Sequence, residues 1–191
     1  MQPGTRATSP MSIQVVSSRL ADVASLRECI DVVASEGGYL AYRQAPGRDD
    51  LARALFTLAE EGSIHLVAKD RNQVVGWAQI ERGKGSSVCH RGDLGMGVLP
   101  DYRGRGIARN LLEQAISFAS AAGIHRVELE VRSDNTRALE LYRSMGFAVE
   151  SIVRGAMRVD EAHHDAFRMC LIIVPPDPSA GNGRHLERLS T

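Results

Sequence analysis

The sequence has no excess of charge of either sign, no cysteine pattern typical of disulfides and no long apolar run. Lysine plus arginine and aspartate plus glutamate each total 23, so no overall field favours nucleic acid or an anionic membrane as a partner. The three cysteines, Cys29, Cys89 and Cys170, are odd in number and lie far apart in apolar stretches, which favours reduced, packed thiols. Binding is therefore expected at a local site.

The chain also lacks the signals that direct a protein to a membrane. No apolar run is long enough to span a bilayer, and residues 1–10 lack the apolar core of a secretory signal. These features predict a cytoplasmic protein without a membrane partner. With 191 residues and 43% hydrophobic content, the chain is long enough for one buried core. We expect a single domain over residues 12–174, between flexible polar tails at residues 1–11 and 175–191.

Within this domain, helical and strand periodicities alternate, which predicts a mixed α/β fold without internal repeats. Helices begin at capping residues and end at glycines, and strands are rich in β-branched residues. Strands are expected near residues 13–17, 64–68, 74–80, 89–99, 127–131, 147–154 and 164–174. Helices are expected near residues 20–33, 49–58, 107–122 and 136–145.

The most informative segment runs from Val98 to Leu112. It reads as a strand end, a tight basic glycine-rich turn at residues 103–106 and the start of an amphipathic helix. Such a turn directs backbone N–H groups and a helix N-terminus at one point, which is typical of a phosphate or pyrophosphate site. An exposed surface turn is the alternative. The segment lacks the Lys-Ser/Thr ending of a nucleotide P-loop, and only Glu128 or Glu130 could act as a ribose-binding acid.

The strand before this turn is interrupted by Gly92, Gly95 and Gly97. Glycines inside a strand indicate a β-bulge or a close approach by a ligand. We therefore expect this strand to be irregular and to border the binding site.

Two motifs together resemble the GCN5-related N-acetyltransferase (GNAT) superfamily. The first is Val98-x-Pro100-x-x-Arg103-Gly104-x-Gly106-Ile107-Ala108, and the second is Asn135-x-x-Ala138-x-x-Leu141-Tyr142-x-x-x-Gly146-Phe147. The resemblance extends from about Ile13 to Val174. It implies a central, mostly antiparallel twisted sheet that is splayed at strands 4 and 5, with about four helices.

The resemblance also implies an acetyl-CoA site without a metal. The pantetheine arm is expected between the splayed strands, on the backbone of Met96, Gly97 and Val98. The pyrophosphate is expected on the turn and first helical residues, and Asn135 would hold the cofactor from the other side. The residues expected to hold the pyrophosphate are Arg103, Gly104, Arg105, Gly106, Ile107 and Ala108.

By the same resemblance, Tyr142 is the expected proton donor to the departing thiolate. An unperturbed phenol has a pKa near ~10, close to the ~8.5 of a thiol; a core tyrosine is the alternative. Glu130 is the first candidate for the general base, since it occupies the position used by ribosomal-protein N-terminal acetyltransferases. It could instead pair with Arg126 or Arg132, or simply be solvated.

His90 is the second candidate base, and Asp93 and Glu81 follow. Tyr39 and Tyr42, between the first two helices, are expected at the acceptor end of the site, with Asp93 as a further acceptor contact. The adjacent His163 and His164 are interpreted as a hairpin end rather than a metal site, because neighbouring strand residues point to opposite faces.

These features predict an enzyme that acetylates a primary amine of a small molecule or amino acid by direct attack in a ternary complex. Acetylation of a protein N-terminus or lysine is a second possibility, and a non-catalytic acyl-CoA-binding sensor is a third. A homodimer formed through the late strands is expected only by analogy with relatives.

Overall fold

The computed structural model describes residues 13–173, which form four α-helices, two short 3-10 turns and seven strands. The helices are α1 (Val23–Ser35), α2 (Arg48–Glu60), α3 (Ile107–Ala121) and α4 (Thr136–Ser144). The strands are β1 (Ile13–Ser17), β2 (Ile64–Asp70), β3 (Gln73–Arg82), β4 (Arg91–Val98), β5 (Arg126–Arg132), β6 (Ala148–Val159) and β7 (Ala162–Ile172). The predicted mixed α/β fold is confirmed. The predicted tails lie outside the described residues.

One sheet contains all seven strands, in the order β1-β2-β3-β4-β5-β7-β6. Every neighbouring pair is antiparallel except β4 and β5, which run parallel. These two strands pair over three positions only, from Arg91 opposite Arg126 to Asp93 opposite Glu128. Beyond that point they separate, as the resemblance predicts.

Each face of the sheet is covered by a different pair of helices. The larger core packs α3 and α4 on one face, through side chains such as Leu111, Leu112 and Leu139. The smaller core packs α1 and α2 on the other face, around Leu26 and Trp77. These helices contact β2, β3 and β4 on the second face, whereas the same face of β5 carries charged side chains.

The glycines of β4 mark no bulge, and two of them lie against core side chains of β3. The β3–β4 register is unbroken, so β4 contains no bulge. A Cβ at Gly97 would lie 2.3 Å from the Trp77 ring, and one at Gly92 would lie 2.4 Å from Ile80 Cγ2. These glycines therefore make room for neighbouring core side chains.

The hairpin of β6 and β7 is longer than the sequence predicts. Strand β6 continues to Val159 rather than ending near residue 154, and its register with β7 shifts twice. The shifts explain the difference, because they break the alternation that marks a strand in the sequence. β6 lies at one edge of the sheet. The homodimer expected through the late strands stays a prediction. Within residues 13–173, no helix has the length and apolarity needed to cross a bilayer.

His65 on β2 is expected to make the stability of the fold depend on pH. Burial lowers its pKa to about 4, and its Nδ1 atom has no hydrogen-bond partner among the described residues. The unfolded chain, with a histidine pKa near ~6.5, binds the proton first as the pH falls. As the pH falls from about 6.5 to about 4, the free energy of unfolding is therefore expected to decrease, by up to about 3 kcal/mol from this group.

Urea unfolding of the wild type and of His65→Gln from pH 7 to pH 4 measures this dependence. The variant is expected to show a shallower decline in stability than the wild type. His163→Gln, which replaces an exposed histidine, is the control and should keep the wild-type slope. Equal slopes in all three proteins would show that His65 does not stay neutral in the folded state.

Candidate active site

The separation of β4 and β5 creates a wedge with two open backbone edges. After Asp93, residues 94–98 of β4 pair only with β3, and after Glu128, residues 129–132 of β5 pair only with β7. The backbone N–H and C=O groups on the facing edges have no strand partner across the wedge. Because exposed strand edges bind extended chains, an arm that carries amide groups fits between them. Met96, Gly97 and Val98 lie on one of these edges.

The turn that follows β4 forms a seat for an anion. Gly104 and Gly106 both have φ of 77°, a left-handed conformation that favours glycine. Asn110 is the first α3 residue whose N–H is bonded within the helix, to Gly106 O at 3.0 Å. No described residue bonds the N–H groups of Ile107 and Ala108, as is usual at a helix start.

The space in front of this seat is open. A Cβ added at Gly106 would meet nothing within 4 Å. The free N–H groups and the positive end of the α3 dipole are thus accessible to a phosphate. The turn residues predicted from the sequence are brought together in one cradle.

The arginine side chains of the turn are engaged in protein contacts. Arg103 Nε donates to Val98 O at 2.9 Å. Its Nη1 atom donates to Glu36 Oε1 at 2.9 Å, and its Nη2 atom donates to Glu36 Oε2. Arg105 donates to Asp101 O at 2.8 Å and lies over the Tyr102 ring. The backbone therefore forms the seat, and Arg103 holds the turn in place.

Helix α4 brings Asn135 and Tyr142 to the face that α3 covers. Asn135 caps the helix, since its Oδ1 atom accepts from the Ala138 N–H at 3.2 Å. Tyr142 is 9% exposed and packs against Phe147 with ring centroids 5.7 Å apart. Burial raises the pKa of Tyr142 to about 12, and no described residue hydrogen-bonds its hydroxyl. The group is a neutral phenol at physiological pH.

Four charged residues alternate along β5 at positions 126, 128, 130 and 132, so their side chains share one face. Leu129 and Val131 point to the opposite face, into the core that contains Tyr142. Glu130 and Tyr142 thus lie on opposite faces of the sheet.

Glu128 is held in its charged form at the point where the strands separate. It accepts from Arg91 at 2.7 and 2.9 Å and from Arg126 at 2.6 Å. Burial favours the neutral carboxyl, but these hydrogen bonds outweigh it and lower the pKa of Glu128. With both oxygens engaged, Glu128 is a structural residue of the wedge.

Glu130 is exposed, and its Oε1 atom accepts from Arg168 Nε at 3.1 Å and from Nη2 of the same residue. Arg168 lies directly opposite it on β7. The sequence suggests Arg126 or Arg132 as a partner instead, and that pairing is wrong. A carboxylate in this position remains accessible to solvent and to a ligand.

Asp93 and His90 lie toward the closed end of the wedge. Partial burial and the charge of Glu128 raise the pKa of Asp93. His90 precedes β4, and its carbonyl accepts from the N–H groups of His125 and Arg126 at 2.8 and 3.1 Å. Along the strand, His90 is about 20 Å from Met96 at the usual rise of ~3.3 Å per residue. The structure does not bring His90 to the open part of the wedge.

Tyr39 and Tyr42 lie in the segment between α1 and α2, residues 36–47, which we call the acceptor loop after the role that the resemblance implies. Tyr42 is 41% exposed, and burial of the remainder raises its pKa. The Tyr39 ring lies against the guanidinium of Arg132, with 4.8 Å between Cζ and the ring centroid. Arg132 is not among the residues predicted from the sequence. The alternation of charged residues along β5, which ends at Arg132, could have indicated it.

Among the described residues, no group of three or more histidine, cysteine or carboxylate side chains could hold a metal ion. The three cysteines are free thiols. The ligand that suits the wedge and the cradle is thus an extended amide-bearing arm joined to a phosphate.

Known proteins are similar to this chain in sequence and in fold. The sequence profile of the Acetyltransferase (GNAT) family matches residues 30–147. N-alpha-acetyltransferase RimI of Mycobacterium tuberculosis is 38% identical over 112 residues, which are 59% of this chain and 68% of the relative. The [Ribosomal protein bS18]-alanine N-acetyltransferase of Salmonella typhimurium is 40% identical over 76 residues, 40% of this chain and 51% of the relative.

A solved structure, the acetyltransferase of GNAT family from Streptococcus pneumoniae, is also similar. It superposes with a TM-score of 0.80 at 25% identity, over 85% of this chain and 100% of that one.

Proposed function

Because the chain belongs to the Acetyltransferase (GNAT) family, we propose that it transfers an acetyl group from acetyl-CoA to the α-amino group of a protein or peptide. The relatives that match at 38 and 40% identity are named for N-alpha- and alanine N-acetylation, which favours this acceptor over the free small amine that the sequence suggests first. The structural observation that carries the proposal is the wedge between β4 and β5, with the anion cradle at one end.

The residues present fit acetyl-CoA in three places. The open edge of β4 at Met96–Val98 suits the amides of the pantetheine arm. The N–H groups of Ile107 and Ala108 suit the pyrophosphate, and Gly106 has no side chain that would block its approach. The cofactor supplies an acetyl thioester, whose carbon is attacked by the amine and whose sulfur leaves as a thiolate.

Proton uptake and proton donation take place on opposite faces of the sheet. On the acceptor-loop face, Glu130 receives the proton that the attacking nitrogen loses as the N–C bond forms and the C–S bond breaks. On the α3–α4 face, Tyr142 donates its phenolic proton to the sulfur. One proton is taken up and one is released, so the enzyme returns to its starting state after proton exchange with water. Asp93 is the alternative base, since its raised pKa favours proton uptake.

An acetylation assay with purified protein, acetyl-CoA and a panel of acceptors tests the proposal. The panel contains peptides with a free α-amino group, the same peptides with that group blocked, and free amino acids. We expect release of CoA only with free α-amino peptides. Turnover with blocked lysine peptides, or with free amino acids alone, would assign a different acceptor.

The same assay identifies the base. Glu130→Gln is expected to lower kcat/KM by about 10²-fold or more, the usual contribution of a general base. Glu150→Gln, which removes another arginine-paired carboxylate of the sheet, is the matched control. If Asp93→Asn gave the large loss and Glu130→Gln gave none, Asp93 would replace Glu130 in this role.

A further inference from the structure

Arg132 is the one arginine among the described residues whose side chain is buried, at 7% exposure. It is the last residue of β5, and its guanidinium uses every one of its nitrogens. Nε and Nη2 donate to the two oxygens of Asp134 at 3.0 and 2.5 Å, and Nη1 donates to Gly38 O at 3.1 Å and Gly37 O at 3.4 Å. A buried charge with this many directed contacts fixes the groups around it.

The contacts of Arg132 join three separate segments of the chain. Gly37, Gly38 and Tyr39 belong to the acceptor loop. His164, whose Nδ1 atom lies 3.2 Å from Arg132 Nη2, belongs to the β6–β7 hairpin. Asp134 immediately precedes Asn135, the cap of the helix that carries Tyr142. One side chain thus holds the loop, the hairpin and the start of α4 together.

The loop and the hairpin also touch each other directly. Arg43 pairs with Asp160 at 3.0 Å, but both side chains are exposed, so this pair contributes little on its own. A Cβ at Gly38 would lie 2.3 Å from a methyl group of Val159, so the loop backbone is packed on the hairpin. Arg132 is the buried element of this junction.

We propose that Arg132 is a positioning residue that holds the acceptor loop and the β6–β7 hairpin as one wall of the acceptor site. The inference rests on the proposed function for its catalytic consequence. Arg132 makes no contact with the anion cradle or with the open edge of β4. We therefore expect its loss to raise the KM for the acceptor far more than the KM for acetyl-CoA.

The geometry requires arginine in particular. Its planar fork reaches Asp134 with two nitrogens and the loop carbonyls with the third, and its flat face stacks on the Tyr39 ring. A lysine keeps the charge and buries a similar stem, but its single nitrogen cannot satisfy Asp134, the carbonyls and the ring at the same time. Arg132→Lys therefore removes most of these contacts while keeping the positive charge.

The test compares the wild type, Arg132→Lys and Arg158→Lys. Arg158 is an exposed hairpin arginine that, within residues 13–173, pairs only with Glu161 at 3.7 Å, so it controls for the substitution itself. Hydrogen exchange of peptides covering residues 36–47 and 159–164 is expected to be at least tenfold faster in Arg132→Lys than in either other protein. The acceptor KM is expected to rise about tenfold or more, with the KM for acetyl-CoA changed less than twofold.

Unchanged exchange in a folded Arg132→Lys would overturn the proposal, and so would an equal rise of both KM values. If Arg132→Lys does not fold, Tyr39→Leu removes only the exposed stacking partner and must still accelerate exchange in the loop. The exchange measurement needs no substrate. A wild type that acetylates nothing would contradict the proposed function, while the exchange data would still decide whether Arg132 holds the wall.

Discussion

Replacing Tyr142 with phenylalanine is expected to lower kcat by about 10²–10⁴-fold, the usual contribution of a general acid. The substitution removes only the hydroxyl, which no described residue hydrogen-bonds, and leaves the ring packed against Phe147. The buried phenol keeps its proton at neutral pH because burial raises its pKa to about 12. Without it, the thiolate must leave unprotonated. Steady-state kinetics with a saturating acceptor measure the effect.

Cofactor binding separates this role from a structural one. Acetyl-CoA affinity, measured by calorimetry, is expected to change less than threefold in Tyr142→Phe. Tyr102→Phe, which removes a hydroxyl bonded to Asp70 at 3.1 Å, is the matched control and should keep kcat. A Tyr142→Phe enzyme with wild-type kcat would remove Tyr142 from the chemistry. A protein that binds acetyl-CoA but shows no turnover even as the wild type would instead be a sensor.

Replacing Gly106 with valine is expected to weaken acetyl-CoA binding by at least about 100-fold. The new side chain would project into the open space before the cradle, where the phosphate approaches the N–H groups of Ile107 and Ala108. Loss of two hydrogen bonds to a charged group, at about 1.5–3 kcal/mol each, accounts for this factor. Calorimetric titration with acetyl-CoA, or with CoA alone, measures it.

Backbone strain must be separated from the blocked cradle. Valine at φ of 77° is strained wherever it occurs, so Gly106→Val is also expected to lose stability. Gly123, beyond the other end of the same helix, has φ of 79° and equally open surroundings. Gly123→Val should therefore lose a similar amount of stability and bind acetyl-CoA normally. Equal loss of binding in both variants would refute the cradle.

The parts of the fold that could be predicted from the sequence depend on local chemistry. The glycine-rich turn, the Asn135 cap and the end of α3 at Gly123 are each fixed by a few adjacent residues, and all appear where the sequence indicates them. The period of β5 likewise shows that four charges share one face. Such signals predict which backbone groups are exposed, and hence the anion cradle.

The contacts that could not be predicted join residues far apart in sequence. Glu130 pairs with Arg168 because the β5–β7 register places them opposite each other, about 5 Å apart at Cβ, closer than same-face neighbours two residues along one strand. Register cannot be obtained from either strand alone. Arg132 likewise reaches Gly38, 94 residues away, through a loop with no periodicity. The packing of the Trp77 ring against Gly97, where a Cβ would lie 2.3 Å away, likewise joins two strands and could not be predicted from either one.

The ion pair of Arg103 with Glu36 has a consequence for how the two substrates influence each other. Glu36 caps α1 and begins the acceptor loop, and Arg103 begins the phosphate turn, so one contact bridges the donor half and the acceptor half of the enzyme. If either bound molecule changes this bridge, linkage requires that each alters the affinity for the other by the same factor. Both side chains are about 30% exposed, so dissolved salt weakens the bridge. Any coupling carried by this bridge is therefore expected to weaken as the ionic strength rises.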